Sequence, residues 1–525
     1  MSPLLPELKE LLARYGQEHL LDGWEGLTEP RKESLLHDIE CADWSLVGDL
    51  YGKLVVEKEE LALDTTGFIP SEPIKERRQK AGEKGAEILR WGASGGRTKF
   101  AGIVVAGGTG SGLKYDHPKG IFPATPLSGE PLYLALIRKF QAAARVYGHE
   151  RMYPLVFMIS EQTEKETIDY IRGLPEWEKI LDRVIFTRQK VLPVLIREPG
   201  KEQDGKAFLK SPGRLQQGGD GHGDAFDYIL NPDEGVEGLV WSGQIESLIK
   251  AKVVTWLASF GVEYVQYMNV DNLLNPLADK YLVGEHVLSR DPDIEKEGRA
   301  HIALGMVKKT QWDKKKKTYH DRLGNVIILN ERKESIDYVD ASDKINACEF
   351  GDPSLRLVTL SSLAGSIPIH YSVEEKTDRD LSGSEVPIYK FERSSSNKKR
   401  YGIELAYGSC DVFAAIKKRD EDAKVETPST AKKLQSDHWK KLAREVFPEL
   451  EIPDSTVLEL PWEADYISPE QLKEELSSID LPSAIRKNRG ILVTRDFQTV
   501  EVKEKDRGQP PSKGVSYLQN TPPDK

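Results

Sequence analysis

The sequence predicts an α/β protein: a mostly parallel, doubly wound (Rossmann-like) sheet with a helical N-terminal region, a β-rich insertion and a small C-terminal α+β domain. Three observations carry this expectation. Apolar runs of strand length alternate with helical patterns from Phe100 onward, as in a sheet covered by helices on both faces. The first run, Ile103-Val104-Val105, stops abruptly in Gly107-Gly108-Thr109-Gly110-Ser111-Gly112. A buried strand opening into glycines presents backbone N–H groups that can cradle phosphate, at the sheet edge where such folds bind ligands. Finally, 525 residues with 38% apolar content are enough for more than one core, and no apolar run reaches the length of a membrane span.

In chain order, residues 1–95 read as a helical N-terminal region, with Leu8, Leu11 and Leu12, then Leu35, Leu36 and Ile39, at helical spacing. Ser94 lies in a G-x-S-x-G match, but a charged helical pattern precedes it instead of the strand a nucleophile elbow needs. Residues 96–450 read as a catalytic domain. Its expected strands are Phe100–Ala106, Pro154–Ser160, Arg183–Thr187 and Glu263–Val270; its expected helices are Leu132–Tyr147, Glu164–Arg172 and Gly243–Phe260. Basic residues from Lys308 to Lys317 precede Gly324-Asn325 and Val326–Leu329, which suggests an antiparallel hairpin insertion with a solvated rim. Residues 451–504 form the expected small C-terminal domain, and 505–525 the compositional signature of a disordered tail.

Bulk charge narrows the function. A net charge of −11 excludes a typical nucleic-acid binder, which would show a basic face. Cys41, Cys348 and Cys410 are widely spaced and odd in number, so neither a disulfide framework nor a metal knuckle is expected. With an N-terminal segment that lacks the basic start and apolar block of a signal peptide, this points to a reducing, cytoplasmic setting and no membrane partner.

The glycine loop fits neither common phosphate motif. Gly107 and Gly112 have Walker spacing, but Leu113 stands where the lysine belongs. Gly108, Gly110 and Gly112 are evenly spaced, so the dinucleotide pattern fails as well, which counts against a nicotinamide-dependent oxidoreductase and leaves it the weakest of three expectations. Beyond the loop stands Pro118-Lys119-Gly120. An apolar strand, Gly-Gly-x-Gly and a later Pro-Lys-Gly resemble the UDP-sugar pyrophosphorylases, closest to their UDP-N-acetylhexosamine and UDP-glucose branches. Further segments keep the order of that family. Tyr15-Gly16-Gln17-Glu18-His19-Leu20-Leu21 is similar to its N-terminal region, and Arg188-Gln189 with Leu192-Pro193 to its Gln-Gln-x-x-x-Pro segment. Gly219-Asp220-Gly221-His222-Gly223-Asp224 resembles its glycine-rich second loop, and Val270-Asp271-Asn272 its Val-Asp-Asn. Asp337-Tyr338-Val339-Asp340 and Tyr389-Lys390-Phe391-Glu392 resemble two later motifs.

The resemblance implies a Mg²⁺-dependent uridylyltransferase that joins UTP and a sugar 1-phosphate, a hexose or N-acetylhexosamine derivative, into a UDP-sugar and pyrophosphate. It implies that Val105, Ala106, Gly107 and Gly108 line the nucleotide, with Gln189 and Gly221 at the base. Lys119 and Lys390 would be the catalytic cations, Asp271 the metal ligand, and His222, Asp337 and Tyr338 the sugar-phosphate contacts. The chain also departs from the family: Gly112 stands where an arginine is usual, Phe350-Gly351-Asp352-Pro353 and Arg356 replace an Ala-Gly-Asn-Ile and a later histidine, and Lys424 is nearest to a late lysine. The competing expectation is a weakly active or inactive relative that binds nucleotide-sugars in a regulatory role.

Overall fold

The computed structural model describes residues 5–57, 69–70, 78–241, 248–289, 300–309, 312–319, 323–329, 332–336, 343–365, 371–393, 401–408, 413–487, 490–493 and 499–501. The chain divides into two compact units. The larger comprises Phe68–Arg188, Leu230–Ala364 and Tyr401–Lys525; the smaller comprises Met1–Gly67, Gln189–Ile229 and Gly365–Arg400.

Among the described residues, the larger unit is built on a 13-stranded mixed sheet. Its centre is formed by β1 (Phe100–Val105), β2 (Leu155–Ile159), β3 (Val184–Arg188) and β4 (Tyr264–Asn269). These lie in the order β4-β1-β2-β3 and all run parallel. Every residue of β2 is buried, which is why it reads as an unbroken apolar run and not as an alternating one. Helix α1 (Leu132–Val146) covers this centre with Leu132, Tyr133, Leu136, Ile137 and Phe140, all buried. Connected parallel strands require crossovers, and the strand–helix alternation in the sequence records them.

Away from the centre the sheet is not parallel. β4 pairs antiparallel with Arg356–Thr359, and β3 with Glu237–Trp241. The expected hairpin is present as Gly324–Leu329 and Arg332–Ile336, but it extends the main sheet through Tyr401–Gly408 and forms no separate layer. The expected helix Gly243–Phe260 is also corrected. Leu248–Lys252 is a strand antiparallel to Glu237–Trp241, and the helix occupies only Val253–Phe260. Edge pairing prevails there because the segment is only half covered: Ile249 and Lys250 are exposed, so no helical face is buried.

Helix α2 (Pro428–Val446) starts at Thr427, whose hydroxyl accepts from the Thr430 N–H in a capping arrangement. The C-terminal elements share the core of the larger unit: Trp439, Leu458, Trp462, Leu472 and Leu476 belong to the same buried cluster as Phe100 and Phe140. The expected disordered tail, 505–525, lies outside the described residues.

The smaller unit combines the N-terminal helices Leu5–Arg14, Glu29–Cys41 and Trp44–Leu50 with short antiparallel strands. The longest of these strands are Tyr371–Arg379 and β5 (Glu385–Arg393). Leu8, Leu12, Leu35, Ile39, Trp44 and Val47 pack with Leu192, Leu195, Tyr389 and Phe391 into one core, so the helical spacing in the sequence marks a buried face.

Candidate active site

In the larger unit the site grows from the carboxyl ends of β1 and β4. The two strands are in register, Val105 opposite Asn269, so the glycine loop and Asp271 emerge side by side. The Val270 N–H donates to the Val105 carbonyl at 3.2 Å, and the Ala106 N–H to the Met158 carbonyl at 2.8 Å. These bonds carry the backbone past the strand ends before it turns. The loop is then closed by the Lys119 N–H, which donates to the Gly108 carbonyl at 3.0 Å. That turn places the Lys119 ammonium 2.7 Å from Asp271 Oδ2, with the two side chains only 16% and 11% exposed. Val105, Ala106, Gly107, Gly108, Lys119 and Asp271 are thus brought together. Asp271 is held independently of its side chain, since its carbonyl accepts from the Ile416 N–H at 3.0 Å.

The glycine at position 112 has a structural cause. A Cβ there would lie 2.7 Å from the Lys417 carbonyl oxygen, a backbone atom with no freedom to swing away. Lys417 belongs to the run Lys417-Lys418-Arg419. The hydrogen bond from Arg419, reinforced by the charges of Lys114 and Lys418, holds the Asp422 carboxyl below the usual carboxylate range. The backbone of a basic run thus lies against the glycine loop, which itself carries no arginine. Lys424 is exposed on the same segment.

In the smaller unit, Gln189, Gly221, His222 and Lys390 are also neighbours. A Cβ on Gly219 would meet the Gln189 amide at 2.4 Å, and one on Gly218 would meet the Lys390 Cε at 2.7 Å. Lys390 is ion-paired with Glu392. Burial would raise the Glu392 carboxyl, but Lys390, Lys376 and His222 outweigh it and hold it at about 2. His222 itself is exposed at the tip of its loop. Asp337 and Tyr338 lie outside the described residues.

Ser94 sits in a single 3₁₀ turn after the helix Arg78–Arg90, with no strand entering it. It has no elbow geometry. Several residues that motif reading passes over are prominent in the structure. Asp220, Asp224, Arg393 and Tyr371 form a buried polar cluster, and Glu459 accepts from the Leu127 and Ser128 N–H groups at 2.6 and 3.1 Å. The one signal for Arg393 is its place in β5: Tyr389, Phe391 and Arg393 alternate onto the buried side, so an arginine occupies a core position.

No group of three or more His, Cys, Asp or Glu among the described residues is arranged to hold a metal ion. Asp271 alone could supply one carboxylate. That donor set does not suit a protein-made cage, but it does suit Mg²⁺, which is commonly held by one or two carboxylates, water and substrate phosphates.

No family model matches the chain. Among curated proteins it is 24% identical over 435 residues to the UDP-N-acetylglucosamine pyrophosphorylase of Saccharomyces cerevisiae, covering 78% of this chain and 82% of that protein. The chain is thus similar in sequence to proteins named as UDP-sugar pyrophosphorylases. UDP-N-acetylglucosamine diphosphorylase 1 of Arabidopsis thaliana is 25% identical over 289 residues, 53% of this chain and 52% of the plant protein. The pyrophosphorylase fold is shared as well: the Trypanosoma brucei UDP-N-acetylglucosamine pyrophosphorylase, solved in complex with an inhibitor, matches with a TM-score of 0.67 at 19% identity, over 93% of this chain and 97% of that one. Among the described residues no helix is long and apolar enough to cross a membrane.

Proposed function

We propose that the chain is a UTP:sugar-1-phosphate uridylyltransferase, acting in the cytoplasm on UTP and a hexose or N-acetylhexosamine 1-phosphate. The observation that carries this reading is the Lys119–Asp271 pair at the strand ends beside the glycine loop, a cation and a carboxylate poised where phosphates would enter. The pyrophosphorylase relatives and the shared fold support it.

In the reaction, an oxygen of the sugar 1-phosphate attacks the α-phosphorus of UTP in line, the bond to the bridging oxygen breaks, and pyrophosphate leaves. Such transfers depend on positioning and on neutralising oxygens more than on covalent chemistry. Backbone from Val105 to Gly108 lines the nucleotide, where the absence of side chains permits close approach. Lys119 leaves Asp271 for the phosphate oxygens and offsets charge at the pentavalent centre. Gln189 and Gly221 face the base, His222 meets the sugar phosphate, and Lys390 adds a second cation; Asp337 and Tyr338 contact the sugar hydroxyls. Asp271 would hold Mg²⁺, which would supply positive charge to neutralise phosphate oxygens.

One observation favours the alternative of a weakly active or inactive nucleotide-sugar binder: Gly112 backs onto Lys417 and leaves no room for an arginine. Pyrophosphate release from UTP over a panel of sugar 1-phosphates, with and without Mg²⁺, separates the two. Sugar-dependent release that needs the metal is expected. Silence across the panel with retained UDP-sugar binding would establish the binder. In the same assay Asp271→Asn should abolish the Mg²⁺ response, and an unchanged metal titration would remove Asp271 from its role.

A further inference from the structure

The loop Gly219–Asp224 is fixed from beneath by a single arginine. Arg393, at the end of β5, is 4% exposed, and both carboxylates flanking Gly221-His222-Gly223 turn toward it. Its Nη2 lies 2.8 Å from Asp220 Oδ2, and its Nη1 lies 3.7 Å from Asp224 Oδ1. Tyr371 completes the cluster: its hydroxyl donates to Asp220 Oδ2 at 3.2 Å and accepts from Arg393 Nη2 at 3.0 Å.

The main chain repeats the arrangement. The Arg393 N–H donates to the Asp220 carbonyl at 2.6 Å, and the Gly223 N–H donates to the Arg393 carbonyl at 3.0 Å. Gly221, at φ +92°, lies flat on this strand end; a Cβ there would be 2.7 Å from the Arg393 oxygen and 2.8 Å from its nitrogen. Asp224 also reaches sideways, accepting from the Lys190 N–H at 2.6 Å, while the Asp220 N–H donates to the Lys190 carbonyl at 2.9 Å. Lys190 adjoins Gln189, so the same cluster ties together two segments assigned to the base.

We propose that Arg393 is a positioning residue for substrate binding: by clamping Asp220 and Asp224 it sets the height and tilt of the Gly221-His222-Gly223 turn and, through Lys190, the place of Gln189. The proposal rests on the uridylyltransferase reading for the roles of Gly221, His222 and Gln189. The clamp itself rests on the geometry alone. Two carboxylates sharing one guanidinium are an unfavourable way to build a core, because burying charge carries a desolvation cost that apolar packing avoids. What the arrangement supplies is orientation: a planar fork contacts two acids at fixed angles, which a point charge cannot reproduce. Burial raises Asp220 to about 6 and Asp224 to about 7 against the pull of Arg393, with Asp220 adding to the rise at Asp224 and Tyr371 and Lys190 opposing it at one or both.

The test combines amide hydrogen exchange and steady-state kinetics on the full chain, comparing wild type with Arg393→Lys and Tyr371→Phe. Arg393→Lys should speed exchange over 219–227 by about tenfold or more, leaving the helix Glu29–Cys41 of the same unit unchanged. In pyrophosphate release it should raise KM for UTP by about tenfold while kcat moves by less than about threefold, the pattern of lost binding geometry. Tyr371→Phe keeps the guanidinium and should loosen the same loop to a smaller extent; if Arg393→Lys does not fold, this variant decides. Unchanged exchange over 219–227, or faster exchange spread equally through Glu29–Cys41, overturns the proposal. A wild-type protein silent over the whole sugar-phosphate panel would reject the uridylyltransferase reading instead, and the exchange result would still judge the clamp.

Discussion

The two glycine-rich loops differ in how deeply their charged groups are committed. The loop after β1 is fixed by main-chain bonds, from Ala106 to Met158 and from Lys119 to Gly108; its side-chain contacts include the Lys119–Asp271 pair and an exposed pairing of His117 with Glu166. The loop 219–224 has main-chain bonds too, to Lys190 and Arg393, and adds buried side-chain charges, with Asp220 and Asp224 drawn onto Arg393. A loop held by its backbone leaves its charged groups available for ligand. A loop held by buried charges commits them to shape. The first arrangement suits a group that must exchange partners during the reaction, and the second suits a surface that must not move.

The largest effect should come from the exchangeable cation. Lys119→Ala is expected to lower kcat by about 10²–10³-fold, the usual cost of removing one charge-stabilising donor, with the fold intact because the loop is closed by its main chain. Near-normal turnover would break the contrast between the loops. Next comes Gly112→Arg, which would supply the side chain usual in the family. With the Lys417 carbonyl 2.7 Å from the new Cβ, it should destabilise the larger unit by about 1–3 kcal/mol in urea unfolding and fail to raise turnover. A more active, equally stable variant would show that the Lys417 carbonyl does not dictate the glycine at this position.

The smallest effect sharpens the other side of the comparison. Asp224 and Asp220 titrate at about 7 and about 6 when folded, well above an ordinary aspartate. The folded state therefore binds protons more readily than the unfolded chain between those values and about 4, so these groups make stability rise as pH falls through that window. Asp224→Asn should flatten that slope between about pH 7 and about pH 4, in urea midpoints followed across pH. A slope unchanged from wild type would mean that the carboxylate does not carry the strain of the clamp.

How much of this is legible in the sequence depends on how local each cause is. The parallel centre can be read because β1 and β2 are buried on both faces and appear as continuous apolar runs. Lys119 is marked by its place behind Pro118 on the glycine loop, whereas Asp271, just past the end of β4, is singled out only by the order of motifs that resembles the pyrophosphorylases. Leu248–Lys252 reads as helix because its strand character comes from pairing with Glu237–Trp241 and not from its own pattern. The cause of Gly112 is hidden because the Lys417 carbonyl it accommodates is far along the chain. Arg393 leaves a trace in the alternation of β5, but the two aspartates that explain it lie in another segment.

The most direct test of the central claim is the reverse reaction. Wild-type protein is incubated with a UDP-sugar, labelled pyrophosphate and Mg²⁺, and the products are separated. In-line exchange at the α-phosphorus predicts sugar 1-phosphate together with UTP labelled in its β and γ phosphates and unlabelled in α. Label left in pyrophosphate while UDP-sugar still binds, or release of UMP in place of UTP, would contradict it.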